Sequence, residues 1–198
     1  MVDSLEYVDM SNKKFYCYVD ETGPDTRGKF FLVSVILTAQ SDKDGLETII
    51  EEIEERTGKK SIKWRKTGID VRTRFLEEIS RVKEMHSSVY YCVYADTTAY
   101  EQLTSISIAK AIQAKGEFDC SVTVIVDALT KKGIEKMRCE LKRLQVKYDK
   151  IAGLKDEQNA FLRLADSFAG FIRDYLEGHP YTKDLFLLLK RRGIIAEV

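Results

Sequence analysis

Apolar runs that end abruptly at an acidic residue are the feature that most constrains this chain. The run FYCYV, residues 15–19, stops at Asp20, and the run VTVIV, residues 122–126, stops at Asp127. Runs of β-branched and aromatic residues of this length are typical of buried strands. In open α/β sheets, functional residues collect at the carboxyl ends of the strands. The sequence therefore predicts a sheet that carries carboxylates at one edge.

The order of the elements predicts an α/β fold, a mixed sheet flanked by helices. The turn-forming residues DETGP follow the first run and lead to a second run, KFFLVSVIL, so the two form an antiparallel hairpin. Strand-like and amphipathic segments then alternate. The predicted strands are 15–19, 29–37, 61–64, 89–95, 122–126 and 148–154, and the predicted helices are 41–56, 70–85, 98–115, 131–146, 156–176 and 184–191.

Composition bounds the class of protein. The chain has 198 residues, 44% hydrophobic and 32% charged, without repeats, so we expect one domain spanning residues 1–198. The four cysteines form no C-x-x-C pair and lie outside ligand spacing with the two histidines, which argues for structural cysteines and against zinc. No apolar run reaches ~18 residues and the first residues lack a signal pattern, which predicts a cytoplasmic protein that does not span a membrane. The sequence leaves the oligomeric state open.

The charge distribution limits how nucleic acid could bind. The formal net charge is zero, so a nucleic-acid partner would need a local basic patch. The densest basic run, KKSIKWRK at residues 59–66, contains the only tryptophan, Trp64. Its residue types suit contact with a phosphate backbone and stacking of Trp64 on a base. An equally good interpretation is a solvated loop with a half-buried tryptophan.

A third acid, Asp166, lies on the apolar side of a predicted helix. Its neighbours one turn along the helix are Ala169 and Gly170, so we expect it to face the sheet. A buried carboxylate is costly unless it is paired, hydrogen-bonded or bound to a metal ion. Glu21 can share a site with Asp20 only if the chain turns there, because adjacent side chains on a strand point to opposite faces.

Each of the three aspartates also has a structural interpretation. Asp20 suits the start of the turn that follows it. Asp127 suits the cap of a helix starting near Thr130. Asp166 suits an ion pair with Arg163. Together, however, three carboxylates in one pocket match two-metal phosphoryl transfer, which needs hard oxygen ligands around ions ~3.5–4 Å apart.

Two other groups of acids are interpreted as helix starts. Asp96 ends a predicted strand but precedes Thr97 and Thr98, residues typical of a helix N-terminus. Asp156 and Glu157 open the last long helix, where acidic side chains suit the helix dipole. We therefore expect these three acids to be structural.

Two short motifs resemble those of a known family. Residues 18–23, YVDETG, resemble the opening Asp-Glu signature of the domain-of-unknown-function family 3800. Residues 162–166, LRLAD, resemble its closing Gln-x-Ala-Asp helix, and the order and spacing of the motifs fit over residues 15–176. One departure is Arg163, which stands where the family has Gln.

The family resembles a branch of the ribonuclease H-like clan. This implies a mixed sheet that opens with an antiparallel hairpin, with the predicted helices 41–56 and 70–85 as insertions. In that clan, an Asp on the first strand, an Asp on the fourth strand and an acid on the last core helix bind metal. By resemblance these roles fall on Asp20, Asp127 and Asp166.

The resulting prediction is a Mg²⁺- or Mn²⁺-dependent nuclease that hydrolyses a phosphodiester with a metal-activated water. The expected catalytic residues are Asp20, Glu21, Asp127 and Asp166, and the expected substrate contacts are Lys63, Trp64 and Arg163; the Lys63 role comes from the resemblance. The alternative is a non-catalytic binding or regulatory module on the same fold, mildly favoured by the zero net charge and by Arg163. A receiver-like phospho-acceptor is disfavoured by the opening hairpin.

Overall fold

A six-stranded mixed sheet lies at the centre of the structure. The computed structural model describes residues 13–26, 29–116, 119–155 and 158–198. In sheet order, the strands are β5 (Tyr148–Leu154), β4 (Cys120–Asp127), β1 (Lys13–Thr22), β2 (Phe31–Ala39), β3 (Val89–Tyr94) and β6 (Ile195–Glu197). β1, β2 and β3 form an antiparallel meander, β4 and β5 run parallel to β1, and β6 runs parallel to β3. The predicted opening hairpin is therefore confirmed.

Helices cover both faces of the sheet. One face carries α1 (Lys43–Thr57), α2 (Ile69–Ile79), α5 (Ala160–Leu176) and α6 (Thr182–Arg191), and the other carries α3 (Tyr100–Lys115) and α4 (Lys131–Arg143). Each face has its own apolar core, because strands buried on both sides present apolar side chains in both directions. α5 packs directly on β1 and β2.

Alternation along β1 divides its side chains between the two cores. Tyr18 faces α5, and its ring stacks on that of Phe161 with centroids 4.6 Å apart. Val19 faces the α3 side. Because successive side chains of a strand point to opposite faces, Asp20 continues the Tyr18 face and Glu21 continues the Val19 face.

Three segments differ from their predicted structure. The helix expected over 70–85 ends at Ile79, and Lys83–Met85 form a separate turn of 3-10 helix. The strand expected over 61–64 is wrong: Trp64–Lys66 form one turn of 3-10 helix, because the Trp64 side chain is buried against α5 and the segment pairs with no strand in the described part of the chain. The edge strand β6 was not predicted, since three residues are too few to show a two-residue period.

The starts of α3 and α4 contradict two predicted caps. The Thr130 hydroxyl caps α4 by accepting a hydrogen bond from the Gly133 N–H at 3.2 Å, so Asp127 is not the cap. α3 begins after Ala99. Asp96 lies in an exposed turn with a φ of 51°, so its interpretation as the cap of α3 is wrong.

The start of α5 has a cap of its own. The Asn159 side-chain oxygen accepts hydrogen bonds from the backbone N–H groups of Phe161 and Leu162, at 3.0 and 3.1 Å. It satisfies two of the donors that a helix N-terminus leaves unpaired. The predicted starts at Asp156 and Glu157 lie outside the described residues.

Cysteines and helix lengths complete the description. Cys17, Cys92 and Cys120 are buried, and Cys139 is exposed. The burial of Cys17 and Cys92 agrees with the apolar runs in which the sequence places them. Across the ranges that the structure describes, none of the helices has both the length and the apolar character needed to cross a bilayer.

Gly153 lets the loop after β4 pass over β5, and we expect its replacement to be destabilising. A Cβ at Gly153 would lie 2.1 Å from the carbonyl oxygen of Leu129, so Gly153→Ala forces the backbone to shift. We expect a loss of about 1–3 kcal/mol in the free energy of unfolding, measured by chemical denaturation. Gly45→Ala is the control: it lies in α1, nothing lies within 4 Å of the added Cβ, and the higher helix propensity of alanine should leave the protein at least as stable as wild type. Equal stability of the two variants would contradict the close approach.

Candidate metal centre

The register of β1 and β4 brings two aspartates side by side. The parallel pairing sets Tyr18 opposite Ile125, and both side chains face α5. Asp20 and Asp127 each lie two residues further along their strand, so they are also opposite each other and their side chains also point toward α5. Neighbouring strands are about 4.8 Å apart, so the two carboxylates project from adjacent positions at the carboxyl ends of their strands.

The third carboxylate comes from the helix that covers this face. Asp166 lies on α5, where the small residues Ala165 and Ala169 let the helix pack closely on β1. Its Oδ2 accepts a hydrogen bond from the backbone N–H of Trp64 at 2.8 Å. The predicted orientation of Asp166 toward the sheet edge therefore agrees with the structure.

The electrostatics of Asp20 show that these acids lie close together. Burial raises the pKa of the Asp20 carboxyl well above its usual range, and the negative charges of Asp166, Asp127 and Glu21 raise it further. A hydrogen bond from the Glu21 N–H, at 2.8 Å, acts in the opposite direction. Hard carboxylate oxygens with mutual repulsion are a donor set that fits Mg²⁺ or Mn²⁺, because a divalent cation offsets both the repulsion and the lost hydration.

The four predicted acids open on one cavity of about 540 Å³. Four basic side chains also line it: Lys63, Arg65, Arg72 and Arg173. A cavity with carboxylates beside cations has the composition to hold metal ions together with a polyanion.

Glu21 reaches this cavity without the predicted turn. β1 continues to Thr22 and the chain turns at Gly23, which has a φ of 107°, so the interpretation of Asp20 as the first turn residue is wrong. Glu21 lines the cavity from the α3 side, where its Oε2 accepts a hydrogen bond from the Thr104 hydroxyl at 2.8 Å. The side chain keeps solvent exposure, but the surrounding protein partly removes water and raises the pKa of its carboxyl.

Trp64 is not available to stack on a base. Its side chain is only 3% exposed and packs on Gly170, where an added Cβ would lie 2.2 Å from the indole ring. The predicted stacking role is therefore wrong, and so is the alternative of a solvated loop. Lys63, the preceding residue, lines the cavity, where its proposed phosphate contact stays a prediction.

Arg163 lies away from the cavity. Its Nε and Nη2 donate hydrogen bonds of 2.7–3.0 Å to the carboxylate of Glu54 on α1, and both side chains are largely buried. Arg163 is not among the residues that line the cavity, although its position is only about 60° from that of Asp166 around α5. The predicted substrate contact by Arg163 is therefore contradicted by its position.

A second group of potential ligands lies in the same cavity. Single ligand atoms of Asp174, Glu177 and His179 lie within 4.8 Å of one another. Sequence analysis missed Asp174, although it lies eight residues after Asp166 and therefore on nearly the same side of α5. Its Oδ2 already accepts a hydrogen bond from Arg72 at 2.8 Å.

Comparison with known proteins gives a structural match and no sequence match. No protein-family model matches the sequence, and no curated protein matches it either. Thirteen chains of solved structures are similar. One is the crystal structure of ribonuclease H2 from Pyrococcus horikoshii OT3, with a TM-score of 0.51 at 16% identity, covering 90% of this chain and 89% of that chain. The chain has a ribonuclease H-like fold.

The ribonuclease H-like fold confirms the predicted class and the mixed sheet that opens with a hairpin. At this identity the similarity concerns the fold alone. Membership of family 3800 stays a prediction. The single domain over residues 1–198, with α1 and α2 as insertions in the ribonuclease H-like fold, also stays a prediction.

We expect Asp20→Asn to stabilise the metal-free protein. The folded-state pKa of Asp20 lies above its unfolded value, so the ionised carboxylate destabilises the fold at neutral pH, and this effect fades as the pH falls. Asparagine keeps the shape without the charge. In EDTA at pH 7 the variant should melt higher, by about 2–4 °C for each 1 kcal/mol gained, and the difference should shrink on acidification. Asp96→Asn, at an exposed acid, should leave the melting temperature unchanged. A variant that melts below wild type at pH 7 would refute this account.

Proposed function

We propose that this chain is a Mg²⁺- or Mn²⁺-dependent phosphodiester hydrolase that acts on nucleic acid. The observation that carries the proposal is the meeting of Asp20, Asp127 and Asp166, from three separate elements, at one cavity. Isolated buried carboxylates are costly, and a bound divalent cation would offset the repulsion among three of them.

The spacing of the acids bears on how many ions they would hold. In the described part of the chain, Asp20, Asp127 and Asp166 do not gather within the 4.8 Å that groups the ligands of a single ion. Two ions about 3.5–4 Å apart need ligands distributed over a wider space. A two-ion site tolerates this separation, and it is the form of metal centre that we propose.

The residues divide the chemical work. Bound divalent ions supply activation of a water and stabilisation of the charge on the leaving oxygen. Asp20, Asp127 and Asp166 hold and orient these ions. Glu21 lies in the same cavity, and its raised pKa makes it a stronger proton acceptor than a solvated carboxylate.

Substrate phosphates would be held by local cations, since the net charge is zero. Lys63 lines the cavity, and Arg65 is both exposed and in the lining. Charge-assisted hydrogen bonds from such side chains position a phosphate backbone without reading its sequence. Arg65 thus takes the place of Trp64 and Arg163 among the proposed substrate contacts.

The non-catalytic alternative loses one of its two supports. Arg163 favoured a lost activity because it stands in the closing motif beside Asp166. Its guanidinium engages Glu54 on α1, so its charge is directed away from the acids. The zero net charge still fits either function.

Asp127→Asn should abolish metal-dependent cleavage. We expect a loss of about 100-fold or more, because even residues that only support a metal ligand contribute about 10–100-fold. The assay incubates wild type and variant with labelled single-stranded RNA, single-stranded DNA, duplexes and an RNA–DNA hybrid, in Mn²⁺, Mg²⁺ or EDTA. Asp96→Asn, an acid that also follows a strand but is exposed outside the cavity lining, should retain full activity.

Calorimetric titration with Mn²⁺ separates the two functions. Mn²⁺ binding by the wild type, together with nucleic-acid cleavage that is lost in Asp127→Asn, would support the hydrolase. Binding without cleavage of any substrate would support the non-catalytic module. Absence of Mn²⁺ and Mg²⁺ binding to wild type would refute the metal centre.

A further inference from the structure

The carboxylate of Asp166 is oriented by a main-chain group. Its Oδ2 accepts the hydrogen bond of the Trp64 peptide N–H, at 2.8 Å, across 102 residues of sequence. A peptide N–H has no rotamers, so its position depends only on how the turn Trp64–Lys66 is held. Whatever fixes this turn therefore fixes the direction of Asp166.

The turn is held by its own tryptophan and by Arg72 of α2. The Trp64 indole Nε1 donates a hydrogen bond to Asp174 Oδ2 at 2.9 Å. Arg72 Nη2 donates to the Trp64 carbonyl oxygen at 2.7 Å, and its guanidinium lies 4.9 Å from the centre of the indole ring. The close contact of the indole with Gly170 completes the support.

Asp174 connects these supports. Its Oδ2 accepts hydrogen bonds from Trp64, from Arg72 at 2.8 Å and from the Tyr181 hydroxyl. The Arg72 and Asp174 side chains are 13% and 14% exposed, so their ion pair is protected from solvent screening. The network therefore joins the turn to α2, to α5 and to the residue that precedes α6.

We propose that Arg72 and Asp174 are positioning residues for Asp166. They lock the turn at Trp64, and its peptide N–H then holds the Asp166 carboxylate in the direction that a metal ion requires. This inference rests on the proposed function, because it assumes that Asp166 is a metal ligand. Hydrogen-bond partners outside the coordination sphere are known to orient ligands and to raise metal affinity.

The same network argues against a separate metal site at Asp174, Glu177 and His179. The ligand atoms of these residues come within 4.8 Å of one another. The Oδ2 of Asp174, however, already accepts three hydrogen bonds, one from a cation, so only its Oδ1 keeps full capacity for an ion. His179 and Glu177 are about half exposed. Asp174 therefore acts as an acceptor that holds the turn.

Arg72→Met tests the inference. Methionine keeps an unbranched chain against the indole ring but removes the donors to Trp64 and Asp174. We expect Mn²⁺ affinity, measured by calorimetry, to fall about 10-fold, with the fold retained by circular dichroism. Tyr181→Phe, which removes one of the three donors to Asp174, should give a smaller loss. Ile79→Val, in the buried part of the same helix, should lower stability and leave Mn²⁺ affinity unchanged.

Cleavage as a function of Mn²⁺ concentration distinguishes positioning from simple destabilisation. Arg72→Met should need about 10-fold more Mn²⁺ for half-maximal activity, whereas Ile79→Val should need the same concentration as wild type. A variant that binds Mn²⁺ like wild type would overturn the inference. Loss of a bound Mn²⁺ in His179→Ala, with Arg72→Met unaffected, would instead support a metal site at Asp174.

A measurement on the metal-free protein tests this inference independently of the proposed function. Hydrogen exchange of the Trp64 amide, followed by NMR in EDTA, should speed up about 10-fold in Arg72→Met relative to Ile79→Val. Unchanged exchange would overturn the positioning role even in an active enzyme. Faster exchange of the Trp64 amide in Arg72→Met, in a protein whose wild type binds no Mn²⁺, would support the role of Arg72 in holding the turn and would refute the metal centre.

Discussion

Repulsion between carboxylates at the sheet edge is the constraint on which the rest of the structure depends. Asp20, Asp127 and Asp166 are drawn together by elements distant in sequence, and water is partly excluded around them. The folded state must offset this unfavourable electrostatic free energy elsewhere. It does so with two apolar cores, of which the one beneath α5 includes the stacked rings of Tyr18 and Phe161.

Close packing of α5 is what makes the cluster geometrically possible. Small residues beside Asp166 keep the helix near the sheet, and Gly170 admits the indole of Trp64. The buried tryptophan then presents its peptide N–H to the carboxylate. One helix thus supplies the Asp166 carboxylate, the glycine on which Trp64 packs, and Asp174, which accepts a hydrogen bond from the Trp64 indole.

The positions of the three aspartates could be predicted because each has a local signal. Asp20 and Asp127 end apolar runs, and Asp166 has small neighbours on an apolar helix face. The roles of Trp64 and Arg163 could not be predicted from the sequence, because they depend on partners far along the chain. The basic run around Trp64 does not indicate that its indole packs on Gly170 of α5. The sequence around Arg163 likewise does not indicate that its partner, Glu54, lies on α1.

Because Asp20 and Glu21 are adjacent on β1, the register of β1 against its neighbours decides which of the two acids faces each side of the sheet. Their side chains leave opposite faces of the same strand, one toward α5 and the other toward Thr104 of α3. A slip of one residue against β4 would exchange these acids between the two faces. Insertions or deletions within the hairpin should therefore be tolerated only after Gly23 and before β2 begins at Phe31, outside the ladder of paired residues.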